Sequence, residues 1–210
     1  SDLWRSTADM LFLIENPVVR EAFFPSDGQE LAVEPAQSAD WMQIRNITRR
    51  HDSEAGIAPL AAWWQHHPEA FRVARNRDDQ VVAFYCMKPG CDLHPDVIAA
   101  DSLAAAWQGH LASDAMPVGA RALFLRRWLT SDDGESPSAG QAACWLDAKR
   151  AYMELRPALR RVYLAVVDLP VYGPAATQLG FRHLDQIVES FGEQAFQTAM
   201  LDFGPESVDG

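Results

Sequence analysis

Apolar and polar residues alternate in some stretches of the chain and recur at helical spacing in others, and the two periods divide it into elements. Residues 29–34 alternate and run into Pro35, so a strand is predicted to end there. Ser38 is placed to cap a helix reaching about Arg50, in which Trp41, Ile44 and Ile47 recur at intervals of three. A second helix is predicted over residues 57–66, displaying Leu60, Trp63 and Trp64. Residues 70–75 and 80–86 are strand-like and flank Asn76-Arg77-Asp78-Asp79, which reads as a four-residue hairpin turn.

Residues 88–119, rich in Ala, Asp and Pro, read as an insertion whose section 101–111 is helical: a packed surface helix, with a lid as the competing reading. Residues 122–129 form the next predicted strand. A polar loop over 130–139 follows, and Gly140 then opens a long helix to about Leu155. In it Ala142, Leu146 and Met153 fall near one face, with Trp145, Ala148, Tyr152 and Leu155 beside them, so most of this helix is expected to be buried. Strands are predicted around 162–168, 182–188 and 196–203. Between the first two lies a short helical stretch opened by Pro170 and closed by Leu179-Gly180-Phe181. Gly180 sits where a left-handed helix cap costs glycine almost no steric energy. The apolar set in residues 2–24 is broken at Pro17 and predicts two short helices. This N-terminal segment, residues 1–28, is a packing element or the end of a neighbouring domain.

Composition narrows the function. A 210-residue chain with 48% hydrophobic residues can bury a sizeable core. Its net charge of -11 opposes nucleic acid and anionic membranes as partners. An acidic rim would suit a cationic amine, although acidic surfaces more often serve solubility. Cys86, Cys91 and Cys144 lack paired spacing and are read as reduced thiols of a cytoplasmic protein, with no metal site indicated. His66 and His67 are adjacent, about 100° apart on a helix, and are expected to be exposed helix-end residues. The chain has neither an 18-residue apolar run nor a signal-peptide pattern. Its start at Ser1-Asp2-Leu3 suggests a further domain upstream. Nucleophile-elbow, Walker A and dinucleotide motifs are absent, which leaves hydrolase, nucleotidase and dehydrogenase readings without support.

The strongest chemical signal is strand, loop, glycine, long helix over residues 123–155. Unpaired amides and the axial dipole at a helix start form a site for a diphosphate. With the Leu179-Gly180-Phe181 ending and the order of elements over residues 29–203, this resembles the GCN5-related N-acetyltransferase (GNAT) family. The resemblance implies an α/β fold: a mixed, twisted central sheet with helices on both faces. It further implies acetyl-CoA or another acyl-CoA as cofactor and a small-molecule or protein amine as acceptor. The family's diphosphate pattern, Arg or Gln, two residues, Gly, one residue, then Gly or Ala, falls on Pro137, Gly140 and Ala142. The glycine and alanine match and the first position does not. The backbone of Ser138, Ala139, Gly140, Gln141 and Ala142 is thereby expected at the diphosphate, and Trp128, Leu129 and Thr130 beside the pantetheine arm. The family's acid, often a Tyr four residues before the glycine of the ending motif, falls on Ala176. Tyr172, one turn earlier, is the candidate in its place. Glu34, His110 and Asp168 are conceivable bases by residue type. Two functions follow, an acyl-CoA-dependent N-acyltransferase or a non-catalytic module of the same fold.

Overall fold

The computed structural model describes residues 31–204; the N-terminal helical segment expected over residues 1–28 lies outside them. A seven-stranded sheet runs in the order β1-β2-β3-β4-β5-β7-β6. Its strands are β1 (Ala32–Pro35), β2 (Phe71–Arg75), β3 (Val81–Pro89), β4 (Arg121–Thr130), β5 (Leu159–Val166), β6 (Phe181–Phe191) and β7 (Gln194–Asp202). Every neighbouring pair is antiparallel except β4 and β5, which run parallel. One face carries α1 (Trp41–Asp52), α2 (Ile57–His66), α3 (Pro95–Ala100) and α4 (Ser102–Ser113). The other carries α5 (Ala139–Glu154) and α6 (Leu169–Gln178). The sheet is thus mixed and covered on both sides, as the resemblance implied.

Two cores follow from the pleat, since successive strand residues point to opposite faces. Phe71, Val73, Phe84, Phe124 and Tyr163 join Ile44, Leu60, Trp63, Leu103 and Trp107 on the α1–α4 face. Leu123, Leu125, Val162 and Leu164 join Cys144 and Ala148 under α5. The alternation breaks once in β4. Cys86 pairs with Arg127 and Met87 with Leu125, so Arg126 is an extra, bulged residue. The bulge sends Arg126 and Arg127 to the same face and turns Trp128 toward α5.

That single extra residue places two guanidinium groups inside the protein. Arg126 donates from Nε to Asp101 Oδ2 at 2.6 Å, and Trp63 Nε1 donates to the same oxygen at 2.7 Å. Arg127 holds Asp52 through Nε and Nη2, each at 2.6 Å, and holds Glu135 through Nη1. Each ion is paired and hydrogen-bonded, the condition under which burial is tolerable.

Several expectations need correction. Leu146 and Met153 are 51% and 58% exposed, because α5 turns its smaller face, Gly140, Ala142, Cys144 and Ala148, onto the sheet. Small side chains there let the helix lie close. His67 is buried: its Nε2 accepts the His94 amide at 2.8 Å and its Nδ1 lies 3.3 Å from Glu69 Oε1. The insertion holds two helices, divided at Asp101. The first strand does end at Pro35 as expected, and an edge strand tolerates the missing amide there. Gly180 has φ 86, the left-handed conformation its position called for.

Candidate active site at the parted strands

β4 and β5 are joined only from Arg121↔Leu159 to Leu125↔Leu164, whereas β4 continues against β3 as far as Thr130↔Ala83. Beyond Leu125 the two parallel strands part. The edge of β4 that faces the gap can be read from the ladder. Ser131 donates its amide to Val82, so by antiparallel alternation Thr130 and Trp128 turn their backbone groups the other way, into the gap.

The helix α5 begins at this gap. Ser138 is its N-cap, and its Oγ accepts the Gln141 amide at 3.2 Å. Ala142 makes the first intrahelical bond, to the Ser138 carbonyl at 2.9 Å. The amides of Ala139 and Gly140 are left without a hydrogen bond among the described residues. A Cβ on Gly140 would come within 3.1 Å of Ala83 Cβ and Thr130 Cγ2, so this residue seats the helix start on β3 and β4.

The gap itself is crossed. Gly134 pairs with Thr130, taking the backbone groups at the end of β4. The Glu135 carboxylate accepts the Val167 amide at 3.0 and 3.1 Å and the Asp168 amide at 3.0 Å, taking those that continue β5. Gln141 Nε2 donates to the Glu135 carbonyl at 3.1 Å. Trp128, buried between α5 and α6, meets Trp145 with centroids 5.6 Å apart and Tyr172 at 6.3 Å.

Among the described residues, Trp128 Nε1 and the Tyr172 hydroxyl in this cluster have no hydrogen-bond partner. The hydroxyl faces Gln141 and Ser136, near enough to influence its proton but short of hydrogen-bond geometry. Burial first, and then the Glu135 carboxylate, hold this phenol above its ordinary range, so it keeps its proton. An unsatisfied buried polar group costs ~1–3 kcal/mol. Two of them over one gap mark a site suited to a ligand with its own acceptors.

The structure therefore brings Trp128, Thr130, Ser138, Ala139, Gly140, Gln141 and Tyr172 together around the gap. Leu129 points to the opposite core, and Ala142 lies on the buried face of α5. Of the possible bases, Glu34 is held by Arg75 at 2.5 Å on the β1 edge. His110 is held by the Tyr163 hydroxyl at 2.7 Å on the α1–α4 face. Asp168 stands at the gap. Sequence reasoning missed Glu135 and Arg127. A lone acid in a polar loop reads as solvated, and only an arginine inside an apolar strand hints that it needs partners.

Beside the loop lies a shallow cavity of about 330 Å³ lined by Arg49, Arg50, His51, Ser53, Glu193 and Gln194. Arg50 Nη1 donates to the Ser131 carbonyl at 2.8 Å, and His51 Nε2 lies 3.0 Å from it, which ties the end of α1 to the loop after β4. Gln194 Nε2 donates to the His51 carbonyl at 3.2 Å. Three basic side chains against one acid give this cavity no acidic rim.

A parallel β4–β5 pair that parts where a glycine-seated helix begins, closed by an antiparallel β6–β7 hairpin, is the architecture of the GNAT acyl-CoA N-acyltransferase fold. The chain has that fold. Among solved structures it resembles the C-terminal condensation domain of Ebony in complex with beta-alanyl-dopamine, at 10% identity and TM-score 0.56, covering 83% of this chain and 99% of that one. A mutant agmatine N-acetyltransferase in its apo form aligns at 12% identity and TM-score 0.53, covering 82% and 100%. Arabidopsis thaliana NAA60 in complex with a bisubstrate analogue aligns at 12% and TM-score 0.51, covering 82% and 99%. Neither a family model nor a curated protein matches the sequence. No helix among the described residues is long and apolar enough to cross a membrane.

Proposed function

We propose that this chain is an acyl-CoA-dependent N-acyltransferase that moves an acyl group, acetyl in the simplest case, to an amine. The observation that carries the reading is the parting of β4 from β5 at the point where α5 presents the unpartnered amides of Ala139 and Gly140. Those amides would hold the diphosphate of the coenzyme. Gap-facing backbone of Trp128 would lie along the pantetheine arm, where Trp128 Nε1 offers a further donor. The coenzyme, when bound, supplies the activated thioester. Tyr172, whose hydroxyl keeps its proton at neutral pH, would be the donor to the leaving group, and Asp168, whose backbone lies at the gap, would be the group that takes a proton from the amine. Access requires Glu135 to release the Val167 and Asp168 amides, so the described arrangement is a closed one.

A non-catalytic module of the same fold is the second reading. The observation that favours it is Glu135, whose carboxylate satisfies the backbone amides a coenzyme arm would use.

Calorimetric titration with acetyl-CoA tests the first reading. Because Gly140 is packed against the sheet, Ala139→Glu is the better probe. An acid in the first helical turn stabilises α5 by ~0.3–1 kcal/mol while repelling a diphosphate. Saturable binding lost in a variant that melts no lower than wild type supports the site. Equal binding in both, or none at millimolar coenzyme, overturns it. Release of coenzyme thiol with a panel of amines then separates enzyme from module.

A further inference from the structure

We propose a divalent transition-metal site formed by His66, His94 and Asp96, on the insertion side of the fold and sharing no residue with the parted strands. His66 ends α2, His94 is the N-cap of α3, and Asp96 lies in the first turn of α3. One ligand atom from each falls within 4.8 Å of the others. His66 Nε2 is 3.4 Å from Asp96 Oδ2, and His94 Nδ1 is 3.6 Å from the same oxygen. Bonds of ~2.0–2.2 Å at tetrahedral angles put ligand atoms about 3.4 Å apart, so two of the three edges already have the required length.

Chemistry selects the ion. Two imidazoles and one carboxylate form a nitrogen-rich set carrying one negative charge, suited to Zn²⁺, Ni²⁺ or Cu²⁺ and poorly suited to Mg²⁺ or Ca²⁺, which want oxygen. Three protein ligands leave a position for water. Two features oppose binding and are modest. His94 Nδ1 now accepts the Asp96 amide at 3.2 Å, a long cap bond that the ion would replace. The His66 and His94 rings stack at 4.1 Å and 10°, so one must turn for both lone pairs to converge. His94 has a side chain 46% exposed and has room to do so.

The surroundings hold the ligands in place. His67 Nε2 accepts the backbone amide of His94 at 2.8 Å, and its other nitrogen lies against Glu69, which pairs with Lys88 at 2.8 Å. This chain, buried at His67 and open to solvent at Glu69, fixes the N-cap of α3 against the end of α2. An ion here would clasp the insertion to the helix that precedes β2.

The test is titration of metal-stripped protein with zinc chloride by calorimetry and with cobalt(II) by visible absorption. It is made in a Cys91→Ser background, because that exposed thiol would itself take zinc. One equivalent of zinc bound at micromolar Kd or tighter is expected, with cobalt bands of a four-coordinate nitrogen and oxygen site. His94→Ala and Asp96→Asn, both at exposed side chains, should each weaken zinc tenfold or more. His67→Gln, which loosens the His94 backbone, should weaken it by a factor on the order of 10. Zinc uptake no greater than the buffer blank, or His94→Ala and Asp96→Asn binding as tightly as the parent, overturns the proposal.

Discussion

Replacing Arg127 by Leu would leave Asp52 and Glu135, 1% and 8% exposed, without their shared counter-ion. The leucine fills part of the volume, so the loss is electrostatic. Breaking a buried pair by removing one partner costs ~3–5 kcal/mol, because the surviving charge stays out of water. Here two carboxylates survive, only one of which, Glu135, keeps backbone donors, at Val167 and Asp168. The expected cost is at the upper end of that range, a large share of the ~5–15 kcal/mol by which domains are stable. For a domain of this size it corresponds to a Tm lower by about 10–20 °C. Urea unfolding followed by tryptophan fluorescence measures it. The pH dependence identifies the cause. Orphaned buried carboxylates have raised pKa values, so the folded variant binds protons more readily than its unfolded chain. The penalty is then full near pH 7 and shrinks as pH falls through the raised values. Arg150→Leu, at an exposed arginine paired with Glu154, should change stability by less than ~0.5 kcal/mol. A penalty below ~1 kcal/mol for Arg127→Leu, or one that does not change between pH 7 and 5, would refute the reasoning.

Glu135→Ala frees the amides of Val167 and Asp168 and removes the strap across the gap. Calorimetry should show acetyl-CoA binding more tightly than in wild type, alongside a lower melting temperature. Tyr172→Phe deletes an unpartnered buried hydroxyl and is expected to raise stability by ~1 kcal/mol in denaturant titration. A drop in acyl-transfer rate in this more stable variant would mark the hydroxyl as a proton donor, and unchanged turnover would remove it. His110 on α4 is hydrogen-bonded to the Tyr163 hydroxyl and is held below its ordinary pKa by burial, with Asp114 opposing and Arg161 and Arg182 adding to the effect. Its folded form binds a proton less readily than the unfolded chain, so its contribution is whole above about pH 6.5 and declines as pH falls below that. Thermal melts between pH 8 and 5.5 should show this slope, flattened in His110→Gln.

The elements that could be read from the residues were those whose signal is local. Gly180 was legible because a left-handed cap tolerates almost nothing else, and the turn at Asn76 because Asn76 Oδ1 collects the Asp78 and Gln80 amides, each at 3.0 Å, within five residues. The start of α5 was placed within one residue because a polar loop gives way there to a glycine and a helical run; the Ser138 cap was not read from the sequence. What could not be read depends on residues far apart in the chain. The bulge at Arg126 is defined only against β3, and it alone sends Arg127 to the α1 side to meet Asp52. Glu135 sits in an otherwise polar loop, and its burial follows from that arginine. The large apolar residues of α5 suggested a face containing Leu146 and Met153. The sheet took the small-residue face instead, because close approach there gains more contact than larger side chains held further away.

These same distant contacts would govern binding at the gap under the proposed reading. On the proposed reading, a coenzyme arm entering the gap would displace Glu135, so binding would be an exchange: three charge-assisted contacts of the carboxylate and its share of Arg127 would be given up for contacts to the ligand. The diphosphate would add an interaction that Glu135 cannot supply, at the amides of Ala139 and Gly140. An arm without the diphosphate gains nothing there and meets the full opposition of the strap. If the closed form is favoured by ~1.4 kcal/mol, apparent affinity falls about tenfold, and a ligand must bind the open form that much better to restore it. Pantetheine alone should therefore bind far more weakly than acetyl-CoA to wild type, and Glu135→Ala should help pantetheine by at least as large a factor as it helps the whole coenzyme. An equal preference for both ligands in wild type would place the ligand elsewhere than the α5 entrance.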